Sequence, residues 1–389
     1  MTGNAVRDVA GVWVNDTLAA RIVKQDGVNT FSYVEGYAEA GGSAVATTLP
    51  LGKEVATPSG ALPPFFTGLL PEGRRLSALR ANLKASLDDE LALLLAVGGN
   101  TVGNVSVLPW GQRPRELPPL LDVQDGHGDF TALLDPAAEH DAHALAGVQE
   151  KASARSLALP VRGDAILKVS PREFPNVVEN ESTCLAAFRS MPSARGRVAE
   201  SQVVHDSQGR TGLVVSRFDG HFPQKCPVED AAQLLGVYPA EKYNVSFEEV
   251  CDAVLGVVAA PLVAARGLAQ QLAFAWLSGN GDLHAKNLSV MDRGRGFELT
   301  PVYDIPSTVP YGDTSLALAV RGSTSGLSYK KFNAFASELG LPERVIRRVA
   351  DEALVATATL AQQLIRACDF DPRRARDLER VLRARRAHW

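Results

Sequence analysis

The chain has 389 residues, 46% of them hydrophobic and 22% charged, with a formal net charge of −4 and a pI near 6.0. That length supports a large core and two or three lobes, and the mild acidity gives no global reason to expect nucleic acid or an anionic membrane as a partner. Four scattered cysteines, Cys184, Cys226, Cys251 and Cys368, with no C-x-x-C pair, exclude a disulfide scaffold and give no zinc signature.

From residue 11 to about 34 the chain reads as short antiparallel strands at 12–14, 20–23 and 30–34, with turns at Asn15-Asp16 and Asp26-Gly27. Leu69-Leu70-Pro71-Glu72-Gly73 precedes two Leu/Ala-rich segments of helical period, 75–86 and 88–97. The second opens with Asp88-Asp89-Glu90, negative charge where a helix N-terminus favours it. Gly98-Gly99 ends it, 102–108 reads as a strand, and the Pro/Arg/Gly-rich stretch 109–119 marks the main boundary. No apolar run approaches the roughly 20 residues that span a bilayer, and no basic-then-apolar leader pattern opens the chain, so a soluble, cytoplasmic protein with no membrane contact is expected.

A second β-containing unit follows, with a strand at 165–169 that carries Lys168, a helix-like segment at 180–189, and strands at 202–205 and 212–215. Beyond Arg217-Phe218-Asp219-Gly220 the character turns helical. Residues 247–277 show apolar matches at Val254, Val258 and Leu262 and again at Leu268, Leu272 and Trp276, with Pro261 separating two helices. A short strand is expected at 297–300 and helix from 342 onward, where the Arg-rich stretch 373–386 reads as a solvated face.

Chemistry concentrates in Gly279-Asn280-Gly281-Asp282-Leu283-His284-Ala285-Lys286-Asn287 and in Tyr303-Asp304. Phosphoryl transfer needs a carboxylate to orient and deprotonate the attacking hydroxyl, plus oxygen ligands for Mg²⁺ that bridges the phosphates. Protein-kinase catalytic loops set the base Asp and a metal-binding Asn five positions apart, with a second metal-binding Asp beyond. Asp282, Asn287 and Asp304 have those types in that order. Taken alone, Gly-Asn-Gly-Asp is ordinary turn chemistry; gathered with His284, Lys286 and Asp304 after a core helix, it favours a kinase loop. Lys168 alone would be an outward-facing strand lysine, and with that loop downstream it becomes a phosphate-pairing lysine with Glu181 as its partner. Gly147 to Lys151 matches neither a P-loop nor G-x-G-x-x-G. Phe218-Asp219 reads as a hinge contacting adenine and ribose, or equally as a strand end plus turn, and His205, His221 and His284 lack metal-ligand spacing.

In this order, Leu145-Ala146-Gly147-Val148-Gln149-Glu150-Lys151, Asn180-Glu181, Arg217-Phe218-Asp219, Gly281 through Asn287 and Pro301-Val302-Tyr303-Asp304 resemble the HipA-type serine/threonine kinase toxins of bacterial toxin–antitoxin systems. Leu69 through Gly73 and Val102-Gly103-Asn104-Val105 resemble that family's N-terminal subdomain. The resemblance implies an α+β, two-lobed protein-kinase-like fold, with a β-rich N-lobe, a helical C-lobe and an additional small β-rich N-terminal subdomain. The expected division is 1–112, 113–219 for the nucleotide-binding N-lobe and 220–389 for the helical C-lobe with the catalytic loop.

The resemblance further implies ATP and Mg²⁺ as cofactors, and transfer to a serine of a translation-related protein, such as an aminoacyl-tRNA synthetase, with growth arrest as the outcome. By that likeness Asp282 is the catalytic base, Asn287 and Asp304 hold Mg²⁺, and Lys168 binds phosphates. Ala146, Gly147, Val148, Gln149, Glu150 and Lys151 line the nucleotide loop, Ser216, Arg217 and Phe218 form the hinge, Asp219 and His284 lie near the ribose, and Lys286 and Tyr303 belong to the nucleotide site. A HipB-like helix-turn-helix antitoxin is the implied partner, with operator DNA reached mainly through it. Family members often carry, three positions before the loop glycine, a serine whose autophosphorylation silences the kinase; Ala144 stands there, so no phosphate is expected at that position. Two other readings share these residues: a small-molecule kinase of the aminoglycoside or choline type, disfavoured by the N-terminal subdomain, and a non-catalytic corepressor, disfavoured by the intact Asp282, Asn287, Asp304 and Lys168 set.

Overall fold

The computed structural model describes residues 8–83, 89–115, 129–130, 157–162, 165–221 and 223–389. Its first unit is an antiparallel sheet of order β4-β3-β2-β1-β5, made of β1 (Val9–Val14), β2 (Thr17–Gln25), β3 (Val28–Tyr33), β4 (Val55–Thr57) and β5 (Val105–Pro109). Both expected turns are present. Gln25 pairs with Val28 around Asp26 and Gly27, whose φ values of 51° and 77° are those a two-residue hairpin of matching twist requires. Helices α1 (Pro64–Thr67), α2 (Gly73–Leu83) and α3 (Glu90–Val97) close one face of the sheet, with Phe31, Phe66, Leu91 and Leu94 in a common core. Asp89 caps α3 by accepting from the Ala92 amide. Asp88 lies outside the described residues.

The second unit is an antiparallel sheet of order β6-β7-β9-β8, from β6 (Leu157–Arg162), β7 (Ala165–Val169), β8 (Ser201–His205) and β9 (Thr211–Ser216), with α4 (Val177–Arg189) inserted after β7. The period of two along β7 buries Ala165, Leu167 and Val169 and turns Ile166 and Lys168 to the other face. A short hairpin, β10 (Gly220–His221) with β11 (Gln224–Lys225), leads into the third unit.

That unit holds β12 (Val228–Asp230), α5 (Ala231–Leu235), α6 (Phe247–Leu255), α7 (Pro261–Ser278), β13 (Ser289–Asp292), β14 (Phe297–Leu299), α8 (Tyr329–Glu338), α9 (Glu343–Ala356), α10 (Leu360–Cys368) and α11 (Pro372–Ala387). α7 begins at Pro261 as expected, where the missing N–H of proline is no loss. The helical matches at Val258 and Leu262 do not survive. Gly256 ends α6, Val258 makes a parallel bridge to Phe297, and Leu262 is 61% exposed. The sheet β12-β13-β14 replaces the single strand anticipated there; its strands of three or four residues are too short to show a period. The α+β, two-lobed kinase-like arrangement with an extra N-terminal unit is the one observed. Among the described residues no helix is long and apolar enough to cross a membrane.

The first unit is fastened to the third and to the hairpin before it by polar contacts that no pattern along the chain pairs. The Asn15 side chain accepts from the Lys225 amide at 2.9 Å and donates to its carbonyl at 3.1 Å. Glu229 accepts from the amide and hydroxyl of Thr47 at 2.9 and 2.8 Å, and Gln233 donates to the Phe65 carbonyl at 3.0 Å. These contacts set the first unit against one rim of the cleft between the other two.

Candidate active site

α7 stops at Gly279, whose φ of +75° lets its amide turn back onto the Ala275 and Trp276 carbonyls. At Gly281 a Cβ would lie 2.6 Å from the Ser315 carbonyl oxygen and 2.7 Å from Thr308 Oγ1, so only glycine passes. Thr308 then secures both: its amide donates to the Gly279 carbonyl at 2.7 Å, and its Oγ1 accepts from the Gly281 amide at 2.9 Å. From the other side Arg385 of α11 donates to the carbonyls of Trp276 and Thr314, each at 2.6 Å, with its guanidinium 4.1 Å from the Trp276 ring centroid.

This bracing presents Asp282, 1% exposed, in a fixed pose. Its amide donates to Asn280 Oδ1 at 2.8 Å, its carbonyl accepts from the Asn287 side-chain nitrogen at 2.8 Å, and its Oδ1 accepts from the Tyr243 hydroxyl at 3.0 Å. Because Asn287 spends its nitrogen on the loop backbone, its Oδ1 is the atom left for the cleft, which Asn287 lines. His284 sits 3.8 Å from Asp282 Oδ1 with the Tyr243 ring edge-on at 5.0 Å. Burial, followed by the charges of Lys242 and Lys286, holds its pKa well below the ordinary histidine value, so the ring is neutral.

Across the cleft, Lys168 donates to both carboxylate oxygens of Glu181, at 2.8 and 2.9 Å, and to Asp304 Oδ1 at 2.8 Å. Burial opposes its charge, but the two carboxylates outweigh burial and hold the ammonium well above the ordinary lysine range. Glu181 comes from α4, and its neighbour Asn180 fixes that helix to the segment beyond Asp304 by a reciprocal pair: Asn180 donates to the Ser307 carbonyl at 2.9 Å and accepts from the Ser307 amide at 2.8 Å. Asp304 has a φ of +54°, a left-handed conformation that costs a non-glycine residue on the order of 1 kcal/mol and is held here by Lys168.

At the rim the first unit intrudes. Glu72, 3% exposed, places Oε2 2.8 Å from Lys242 Nζ and Oε1 2.7 Å from Lys286 Nζ, and Lys286 also donates to the Gly68 carbonyl at 3.0 Å. Burial pushes the Glu72 carboxyl up, yet the two ammonium groups prevail and keep it below the usual glutamate range. Asp230 lies 4.0 Å from Lys286 on the far side.

The cleft is walled by Leu69, Val102, Ile166, Val215 and Val228, with Lys168, Lys286, Asn287 and Asp304 among its polar lining. Phe218 and Tyr303 lie with ring centroids 5.6 Å apart at 33°, and the Tyr303 hydroxyl donates to the Lys286 carbonyl at 3.0 Å. Of the residues singled out from sequence, the fold brings Lys168, Ser216, Arg217, Phe218, Asp219, Lys286, Asn287, Tyr303 and Asp304 to this one cleft, with Asp282 at its edge through Asn287. His284 is not among the lining residues. Ala146 to Lys151 and Ala144 lie outside the described residues.

Asp219 lines the cleft and is also bound to the first unit. Its oxygens accept from Arg217 Nε at 2.9 Å, Arg217 Nη2 at 2.5 Å and the Gly103 amide at 2.9 Å, while Arg217 also donates to Asn100 Oδ1 and the Thr101 carbonyl at 2.9 and 2.8 Å. The Arg217-Phe218-Asp219 stretch therefore anchors the first unit as well as bordering the cleft. Sequence reasoning gave no role to Glu72, Lys242, Tyr243 or Asp230. Only Glu72 had a signal, in Leu69 through Gly73.

Comparison with known proteins places the fold in a family. The family described as HipA-like C-terminal domain matches residues 143–361, and that described as HipA N-terminal domain matches residues 10–108. Y4dM of Sinorhizobium fredii is 31% identical over 371 residues, 85% of each chain, and Y4mE of the same organism 30% over 333 residues, 78% of each. The serine/threonine-protein kinase toxin HipA of Shewanella oneidensis is 28% identical over 318 residues, 72% of each chain. Among solved structures, the Shewanella oneidensis toxin–antitoxin complex of HipA, HipB and operator DNA shares the fold, with a TM-score of 0.75 at 20% identity over 98% of this chain and 97% of that one. With more than half of its length inside one family, the chain belongs to the HipA family of kinases.

Proposed function

We propose that the chain is the toxin of a toxin–antitoxin pair, a serine/threonine protein kinase that transfers the γ-phosphoryl of ATP to a serine of a translation-related protein. The observation that carries this is the ion triad Glu181–Lys168–Asp304 set across one cleft from the Asp282–Asn287 loop. The adenine ring is assigned to the apolar walls around Ile166, Val215 and Phe218, and the phosphates to the end of the cleft where Lys168 lies.

Among the described residues no three His, Cys, Asp or Glu side chains converge on a metal position. Asn287 Oδ1 and the Asp304 oxygen not used by Lys168 would hold a Mg²⁺, an ion that usually takes few ligands from protein at phosphate sites. When bound there, Mg²⁺ neutralises charge on the β- and γ-phosphates. The chain's own residues do the rest. Asp282, held by Tyr243, Asn280 and Asn287, orients the serine hydroxyl and takes its proton. The hydroxyl oxygen forms a bond to the γ-phosphorus as the bond to the β–γ bridging oxygen breaks, releasing ADP. Lys168 steadies the phosphates while Glu181 fixes Lys168.

The Shewanella oneidensis relative was solved with HipB and operator DNA; by analogy a helix-turn-helix antitoxin is the proposed partner, DNA is reached through it, and the cytoplasm is where all three meet. Expression of the chain is expected to arrest growth, and Asp282→Ala to relieve the arrest, with label from Mg-ATP appearing on a protein band. Arrest that persists in Asp282→Ala removes the kinase reading, and label on an amino sugar or choline in place of protein moves it to a small-molecule kinase.

A further inference from the structure

The Leu69 through Gly73 stretch has no part in the phosphoryl-transfer scheme, yet Glu72 within it touches the catalytic loop. Glu72 lies between α1 and α2 and meets Lys242, 170 positions away, at 2.8 Å and the catalytic-loop residue Lys286 at 2.7 Å. Two routes lead from it to Asp282. By one, Lys242 receives the Ala285 amide on its carbonyl at 3.3 Å, its ammonium stands 5.4 Å from the Tyr243 ring centroid, and the Tyr243 hydroxyl donates to Asp282. By the other, Lys286 immediately precedes Asn287, whose side chain holds the Asp282 carbonyl.

The electrostatics give this contact a direction. The Lys242 side chain is 0% and that of Lys286 5% exposed, so both ammonium groups have left water, and both repel a positive charge on the neighbouring His284. Two buried like charges stay close only with a counter-charge between them, and removing one partner from such a group leaves the others uncompensated. Glu72 is that counter-charge; Asp230, at 4.0 Å from Lys286, is the next acid. The Gly68 carbonyl, four residues earlier, takes a further bond from Lys286, so the first unit grips the catalytic loop at two points.

We infer that Glu72 is a positioning residue for the catalytic loop, and that through it the first unit regulates phosphoryl transfer: the loop is ordered only while that unit is docked. The inference rests on the reading of Asp282 as the base. It makes the kinase sensitive to anything that shifts the first unit.

The test uses the full chain. Glu72→Gln is expected to lower kcat for phosphoryl transfer by about 10- to 100-fold, the range seen when a group that orients an active-site residue is lost, with the KM for ATP within about twofold of the parent. Glu72→Asp should recover part of the rate. Should Glu72→Gln fail to fold, the double variant Glu72→Gln/Lys242→Met removes one of the two lysines that Glu72 faces and is expected to fold and remain slow. Amide hydrogen exchange over residues 282–287 reads loop order directly, whether or not any phosphate is transferred; it should quicken in the variants and not at β7. A variant that transfers phosphate at the parental rate, or whose loop exchanges no faster than the parent's, overturns the inference. Absence of transfer by the parent chain itself would count against the kinase reading, while the exchange result would still decide the role of Glu72.

Discussion

At one end of the cleft a single ammonium, Lys168, lies between two carboxylates, Glu181 and Asp304; at the rim a single carboxylate, Glu72, lies between two ammonium groups, Lys242 and Lys286. The first triad is drawn from β7, α4 and the segment after β14 and carries one negative charge in excess, which suits a site that admits a cation beside phosphates. The second is drawn from two units that meet only in the folded chain, and its side chains are no more than 5% exposed. The same two chemical groups, in opposite proportion, thus separate the binding role proposed for Lys168 from the ordering role inferred for Glu72.

That contrast can be broken most severely at the residue both ends serve. Asp282→Ala is expected to reduce phosphoryl transfer by about 10²- to 10⁴-fold while nucleotide binding, followed by a fluorescent ATP analogue, stays near the parental affinity. Next in size, Lys168→Met leaves Glu181 and Asp304 facing each other without a counter-charge, so a loss of roughly 3 kcal/mol in denaturant unfolding is expected together with weakened nucleotide binding. Unchanged stability would mean that Glu181 and Asp304 separate freely, and that the triad is not a fixed element.

The inter-unit contacts also contain an acid without a lysine. Among the described residues Glu229 accepts from the Thr47 donors alone, and burial raises its carboxyl to about 7, opposite in direction to Glu72. A folded-state pKa above the unfolded value of 4.5 means that ionisation is penalised in the folded chain, so this group's contribution to stability falls as pH rises from about 4.5 to about 7. Glu229→Gln should flatten that window, worth up to roughly 3 kcal/mol between its ends at about 1.4 kcal/mol per unit, as read by melting temperature across pH. At the small end, Arg347→Ala breaks an ion pair with Glu343 whose partners are 67% and 74% exposed, and a change below about 0.5 kcal/mol is expected. A larger change there would blur the distinction between buried and solvated pairs.

What sequence disclosed depended on how local the physics was. The hairpin turns at Asn15 and Asp26-Gly27, the start of α7 at Pro261 and the strand–helix setting of Lys168 and Glu181 follow from periodicity and from residue types with narrow backbone preferences. The spacing from Asp282 to Asn287 was readable because one loop sets both. Val258 and Leu262 misled, since a helical period continued past Gly256 on paper but not in the chain. The ion pair of Asp219 with Arg217 is local, yet its consequence is not, because the Gly103 amide and the Thr101 carbonyl that complete it lie more than a hundred positions away. Glu72 with Lys242 and Lys286 is the extreme case. No pattern along the chain pairs a glutamate with lysines at that remove.

The braces on the catalytic loop run from the Gly68 carbonyl and Glu72 on one side to Arg385 on the other. Contacts of such sequence separation form late, after the intervening chain is available to close them. During synthesis a ribosome-bound chain that has already produced Asp282 still lacks the α11 guanidinium that holds Trp276 and Thr314, so its loop is not yet supported from that side.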